Sequence, residues 1–170
     1  TRRSSDLLKK AEAFDAIAKP AHARQVDVEI DALEEIFRST QGYPYFIQEW
    51  AKQAWDHAKL SPISAADVDE ASVRTIAELD ESFFRVRFDR LTPLEKKYLR
   101  AMAELGPGPH RSGDIAEVLS RKVSALAPAR SSLIVKGMIW SPNHGDTAFT
   151  VPLFDQFMKR AMPDNSWNDG

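Results

Sequence analysis

Apolar residues recur along this chain mainly at intervals of three and four, the period that gathers them on one face of a helix. Leu7, Leu8, Ala11, Phe14, Ile17 and Ala18 form the first such stripe, and the spacing predicts a helix over 4–19 stopped by Pro20. "VDVEID" alternates apolar and acidic residues and reads as a short extended lead-in, after which Asp31 opens a second helix carrying Leu33, Ile36 and Phe37. That helix ends before Gly42, the residue type that most readily takes a left-handed terminal turn. Pro44 suits the first turn of a third helix, where its missing N–H would have no partner, and Phe46, Ile47, Trp50, Ala51, Ala54 and Trp55 carry that helix to about Ala58. "TQGYPYFIQEW" is thus a tight corner between two packed helices, and its tryptophans read as core. Ser64 with Asp67 makes a start of the capping-box kind for a long helical pattern through "VRTIAELDESFFRVRFDRL".

A fresh start signal follows at Thr92 as N-cap, Pro93 as first helical residue and Glu95 two places on, with Leu94, Tyr98, Leu99, Met102 and Leu105 on one face. It sets a domain boundary at about residue 90. "GPGPHRSG" is a turn-rich break, and Ser112 is expected to cap a short helix that turns Ile115, Val118 and Leu119 inward. Within "RKVSALAPARSSLIVKGMIW" a further helix points Leu126, Leu133 and Ile134 at the core and ends at Gly137. Beyond Gly137 the period changes to alternation: "MIWS", the turn "PNHGD" and "TAFTVP" predict a β-hairpin, and "PLFDQFMKRAM" a closing helix. The expected fold is mainly α: a helical bundle over 1–90, a winged helix-turn-helix domain with a small hairpin over 91–162, and a polar tail over 163–170. In such a domain the third helix presents one face to a DNA major groove, and the hairpin tip, here Asn143, His144 and Gly145, reaches the flanking backbone. The same layout also serves protein contact, and both readings stand at this point.

Composition narrows the chemistry. The 170 residues are 43% hydrophobic and 28% charged, which suits a folded globular chain and not a disordered one. Without cysteine there are no disulfides, thiol nucleophiles or cysteine-based zinc sites. No apolar run approaches the roughly 20 residues that span a bilayer, and "TRRSSDLLKK" lacks the apolar core of a secretion signal. A cytoplasmic protein with no membrane partner is therefore expected. Histidines 22, 57, 110 and 144 never pair at helical spacing, so no metal site is expected, and "VDVEID" lacks the glycine and spacing of a calcium loop. There is no G-x-S-x-G elbow, and the glycines of "GPGPHRSG" follow a helix where a phosphate cradle would follow a strand. No catalytic residue and no cofactor are expected in this chain.

Charge is uneven. Residues 1–90 hold 13 Lys and Arg against 17 Asp and Glu, a net of −4, whereas residues 91–170 hold 10 against 8, a net of +2. Any contact with duplex DNA therefore belongs to the second half. The candidates are Arg121, Lys122 and Ser124 at the start of the third helix, Arg130, Ser131 and Lys136 along it, and His144 on the wing. Arg111 joins them near the short helix's N-terminus, where free backbone N–H groups would also meet a phosphate.

The stretches "TQGYPYFIQEWAKQAWDHA", "ISAADVDEA", "ELDESFFRVRFDRLTPLEKKYLRAMAELGPGPHRSGDIAEVL" and "LAPARSSLIVKGMIWSPNHGDTAFTVPLFDQFMKR" resemble the C-terminal region of bacterial AAA+-like ATPases related to archaeal and origin-recognition-type ATPases. The resemblance covers nearly the whole chain and is strongest from Gly42 to Met158. It implies that residues 1–90 are the helical lid that packs on a nucleotide-binding core, that residues 91–162 are a winged helix, and that the Gly-Tyr-Pro corner opens the lid helix facing the nucleotide. Two departures go with it. Tyr45, Phe46, Ile47 and Gln48 follow Pro44, where related ATPases often carry an arginine that reaches the γ-phosphate. No G-x-x-x-x-G-K-[ST] loop and no apolar strand ending in paired acids occur in the chain. The expectation is a non-catalytic portion, with ATP and magnesium held only by a domain upstream of Thr1. Its partners are then duplex DNA, that ATPase core or another protein.

Overall fold

The computed structural model describes residues 6–163 and 165–168, and it is mainly helical with a small three-stranded antiparallel sheet. The chain divides into two compact units, Thr1–Ser82 and Phe83–Gly170.

The first unit contains α1 (Lys10–His22), α2 (Ile30–Thr40), α3 (Pro44–His57) and α4 (Ala65–Leu79). Ile17, Leu33, Ile36, Phe46, Ile47, Trp50, Val68 and Leu79 are buried among them, and Trp50 Nε1 donates to Ser72 Oγ at 2.9 Å. Helix α1 differs from expectation at both ends. It starts at Lys10, where the Glu12 carboxylate accepts the Lys9 N–H at 2.8 Å, and the expected residues 4 and 5 lie outside the described range. It also runs on through Pro20, because that exposed proline in the last turn leaves unbonded only a carbonyl that water can reach. Residues 26–29 of "VDVEID" are an extended lead-in, with Val28 in a single parallel bridge to Ile63, and Ile30 and Asp31 already belong to α2.

Gly42 at the corner is required twice over. Its φ is +78°, and the Leu8 N–H donates to its carbonyl at 2.8 Å, so close that a Cβ on Gly42 would stand 2.4 Å from the Leu8 carbonyl oxygen. Ser64 caps α4 as the sequence implies: its Oγ accepts the Asp67 N–H at 3.3 Å, and Asp67 accepts the Ser64 N–H at 2.8 Å.

After α4 the chain passes through a π turn, Asp80–Phe84, into the short α5 (Arg85–Phe88). Phe84 stacks on Phe157 at 5.3 Å between centroids and meets Phe154 edge-on at 5.6 Å, while Phe88 meets Phe157 at 5.7 Å. These rings place 83–90 in the second unit, ahead of the Thr92 start signal that suggested a division near 90. The second unit continues with α6 (Pro93–Glu104), β1 (His110–Arg111), α7 (Ser112–Val118), α8 (Val123–Val135), β2 (Ile139–Trp140), β3 (Asp146–Phe149) and α9 (Phe154–Ala161), followed by a 3-10 turn, Asn165–Asn168.

Helix α6 lies at its centre, packed on α8 and α9, with Tyr98, Leu99 and Met102 buried. Its cap is the expected one, the Thr92 N–H donating to Glu95 at 2.8 Å and the Glu95 N–H to Thr92 Oγ1 at 3.3 Å. The hairpin registers Ile139 with Phe149 and Trp140 with Ala148. Strand β1, hidden in "GPGPHRSG", adds a third strand by pairing His110 with Thr147 and Arg111 with Asp146. Ser112 is the first residue of α7, with Arg111 at the cap position, because its Oγ donates to the Gly145 carbonyl at 3.0 Å. Ile134 and Leu105, both expected inward, are 37% and 38% exposed.

Candidate functional site

Helix α8 and the hairpin after it build the surface that the sequence singles out. Lys122 is extended at the N-cap position of α8, and Leu126, Ala129 and Leu133, spaced three and four apart, bury one face. Pro128 sits within the helix, and the bond it cannot donate would have gone to Ser124, an exposed residue in the first turn. Gly137, at φ +71°, ends the run and turns the chain into β2.

The structure separates the eight candidate contacts into two groups. Arg130 faces the hairpin: its Nε donates to Thr147 Oγ1 at 3.0 Å, and its Nη2 to Ser141 Oγ at 3.1 Å and to the Asp146 carbonyl at 3.0 Å. Lys136, itself exposed, is tied down by its Nζ, which donates to Glu95 at 2.7 Å and to the Arg90 carbonyl at 3.1 Å. Both cations are spent holding the unit together. Arg111, Arg121, Lys122, Ser124, Ser131 and His144 are exposed. Arg121 and Lys122 immediately precede α8, while Arg111 on β1 and His144 in the hairpin loop are brought near each other because β1 pairs with β3. No arginine or lysine projects from the outward face of α8 itself.

That outward face is uncharged, with Ser124 and Ser131 exposed among apolar side chains. Between Val123 and Val135 the only charged residue is Arg130, and Val123, Ile134 and Val135 are 48%, 37% and 87% exposed. Ala127 and Pro128 are exposed between them. Large apolar side chains exposed together on one helix ordinarily have a second surface to cover them.

Glu95 is the electrostatic anchor beneath α8. Burial pushes its carboxyl upward, but hydrogen bonds from Lys136, Ser132 and the Thr92 N–H, with the Lys136 charge, outweigh that and bring its pKa down to about 2. Ser132 Oγ donates at 2.6 Å. The capping role of Glu95 was visible in the Thr92-x-x-Glu95 spacing, whereas nothing local marks Lys136, forty-one residues on, as its partner. Among the described residues no group of three or more His, Asp or Glu side chains is arranged to hold a metal ion, and no helix is long and apolar enough to cross a membrane.

Three comparisons bear on this geometry. A family model described as "Domain of unknown function (DUF8462)" matches residues 81–158, which takes in α5 to α8, the sheet and the first part of α9. No curated protein matches the chain. Among solved structures, the Thermotoga maritima RuvB Holliday junction branch migration motor matches with a TM-score of 0.40 and 20% identity over 84% of this chain and 47% of that one. Two of its point variants match at TM-scores of 0.40 and 0.41, also at 20% identity and 84% coverage, over 46% and 47% of their length. The chain thus spans about half the length of the solved structures it matches.

Proposed function

We propose that this chain is the non-catalytic C-terminal portion of an AAA+-like ATPase, and that its second unit is a winged helix working by protein contact. The ATPase relation rests on the sequence resemblance from Gly42 to Met158. The observation that carries the protein-contact reading is the uncharged outward face of α8, from Val123 to Val135. Surfaces that enter a DNA groove are polar and strongly positive, and phosphate contacts supply most of their affinity. Here the two cations best placed on and beside α8, Arg130 and Lys136, are committed to the hairpin and to Glu95.

A DNA reading keeps one specific support. Arg121 and Lys122 are exposed at the start of α8, the end that meets base edges when such a helix enters a major groove. One pair of experiments separates the two. Because this chain has no cysteine, Ser131→Cys carries a single photo-crosslinker in it. Protein contact predicts one defined polypeptide adduct, lost on Val135→Asp, and no binding of labelled duplex at low salt. Salt-sensitive duplex binding that Arg121→Ala with Lys122→Ala abolishes would instead establish DNA as the ligand.

A further inference from the structure

A groove of about 350 Å³ lies on the first unit between α1 and α3. Both helices start from the corner where the Leu8 N–H meets the Gly42 carbonyl, and the groove follows them away from it. Ala16 and Pro20 on α1, and Gln48, Ala51 and Trp55 on α3, recur at the three-and-four spacing that puts each set on one helix face, over about two turns. Ile17, Ala21 and Ile63 are buried at its floor. Trp55, whose spacing suggested core, is instead 36% exposed and stands as one wall.

Two cations complete the lining. Lys52 on α3 and Arg24 just beyond α1 are exposed, and among the described residues no hydrogen bond or ion pair engages either side chain. No carboxylate lines the groove. Asp15 and Asp27, each next in sequence to a lining residue, stand with Lys19 and His22 instead, and Glu49 and Asp56 on α3 do not reach the lining. Residues 1–90 carry a net charge of −4, so a positive rim here runs against the charge of the region around it.

The shape and the charge together define an occupant. Two helix faces side by side over two turns leave a bed for a third helix, whose apolar residues seven apart span about 10 Å, the same two turns. Tryptophan and arginine are the side chains that most often carry the binding energy of such contacts. Unpaired cations beside an apolar groove favour acidic residues next to the incoming apolar ones and reject basic residues there.

We propose that the groove between α1 and α3 docks an acidic amphipathic helix of a partner polypeptide, its apolar residues on Ile17, Ala51 and Trp55 and its carboxylates on Arg24 and Lys52. The site lies wholly within Thr1–Ser82 and is independent of the α8 surface.

The test is selection on the whole chain from a displayed library of random peptides about 16 residues long, enough for partial helicity in water. Enriched peptides should carry apolar residues three, four and seven apart with Asp or Glu beside them. A synthetic copy should shift the Ala51 amide and the Trp55 indole N–H saturably in the isotope-labelled chain. Arg24→Glu with Lys52→Glu, at exposed positions whose side chains make no bond, should weaken that copy by about tenfold or more without moving the melting temperature, and a copy with its acids changed to lysine should recover the loss. Ala16→Gln, on the exposed wall, should weaken both copies. Enrichment without the acidic helical pattern, shifts that fall on α8 and not on the groove, or an affinity indifferent to the charge swap would overturn the proposal. Tighter binding of sodium octanoate than of the peptide at the same residues would overturn it too, in favour of a small amphiphile.

Discussion

The two units use polar residues differently. In the first, charged side chains stay near the surface: Lys19 with Asp15, Arg74 with Glu78 and His57 with Glu70 are largely exposed pairs, each worth little in water. Its helices are held by apolar stripes and by one good cap at Ser64. In the second, Glu95 and Arg100 are buried charges, Glu95 tied to Lys136 across forty-one residues and Arg100 to the Met162 carbonyl at 2.9 Å. The lesson concerns α8. A helix whose outward face carries no charge has little of its own to set its rotation on the core, and the ionic ties at its C-terminal end together with the Arg130 ties to the hairpin supply that orientation.

The strongest challenge to this contrast is core truncation, which should hurt both units alike. Trp50→Ala in the first and Phe157→Ala in the second should each cost about 3–5 kcal/mol, read as a shift in urea midpoint. A much smaller loss for Phe157→Ala would mean that the second unit leans on its ionic ties more than on its rings.

Next comes the Glu95–Lys136 tie. Removing one partner of a fully buried pair costs about 3–5 kcal/mol, but the Lys136 side chain is 34% exposed, so Lys136→Met should cost about 1–3 kcal/mol. The pH dependence follows from the lowered carboxyl. The stabilisation is fully present above the unfolded value of 4.5 and is lost as pH falls through about 2. Amide signals of the second unit should therefore weaken in that window, and Lys136→Met should move the loss to higher pH. A wild-type profile flat from pH 5 to 2 would contradict the tie.

Glycine replacements sharpen the comparison further. Gly42→Ala meets both a positive φ and the Leu8 carbonyl, and should cost about 2–3 kcal/mol by thermal unfolding. Gly137→Ala has the positive φ but open space around its Cβ, and should cost about 1 kcal/mol. The caps come next: Ser64→Ala and Thr92→Ala should each lose about 1 kcal/mol. Smallest of all, Val135→Asp should stay within about 0.5 kcal/mol of the parent, because that side chain touches little.

Much of the fold could be read locally. Thr92, Pro93 and Glu95 announce α6 within four residues, and the change from helical to alternating period after Gly137 announces the hairpin. Both signals live in nearest-neighbour chemistry. The misreadings share a different origin. Pro20 reads as a stop unless one knows that its turn faces water. Strand β1 carries no alternation of its own and exists because β3 offers it an edge. Of the contact candidates, Arg130 and Lys136 are tied to groups at Asp146, Thr147 and Glu95, which their own neighbours in the sequence do not announce.

By itself, then, the order of residues determined where helices begin, where they stop and which stripe of each is apolar, since caps, prolines, glycines and side-chain period act over a few positions. Only the tertiary structure decided which cations are tied to the hairpin and to Glu95, and that the outer face of α8 is bare of charge. Those outcomes depend on distances between segments remote in the chain, and electrostatic and packing energies are functions of such distances, not of sequence spacing.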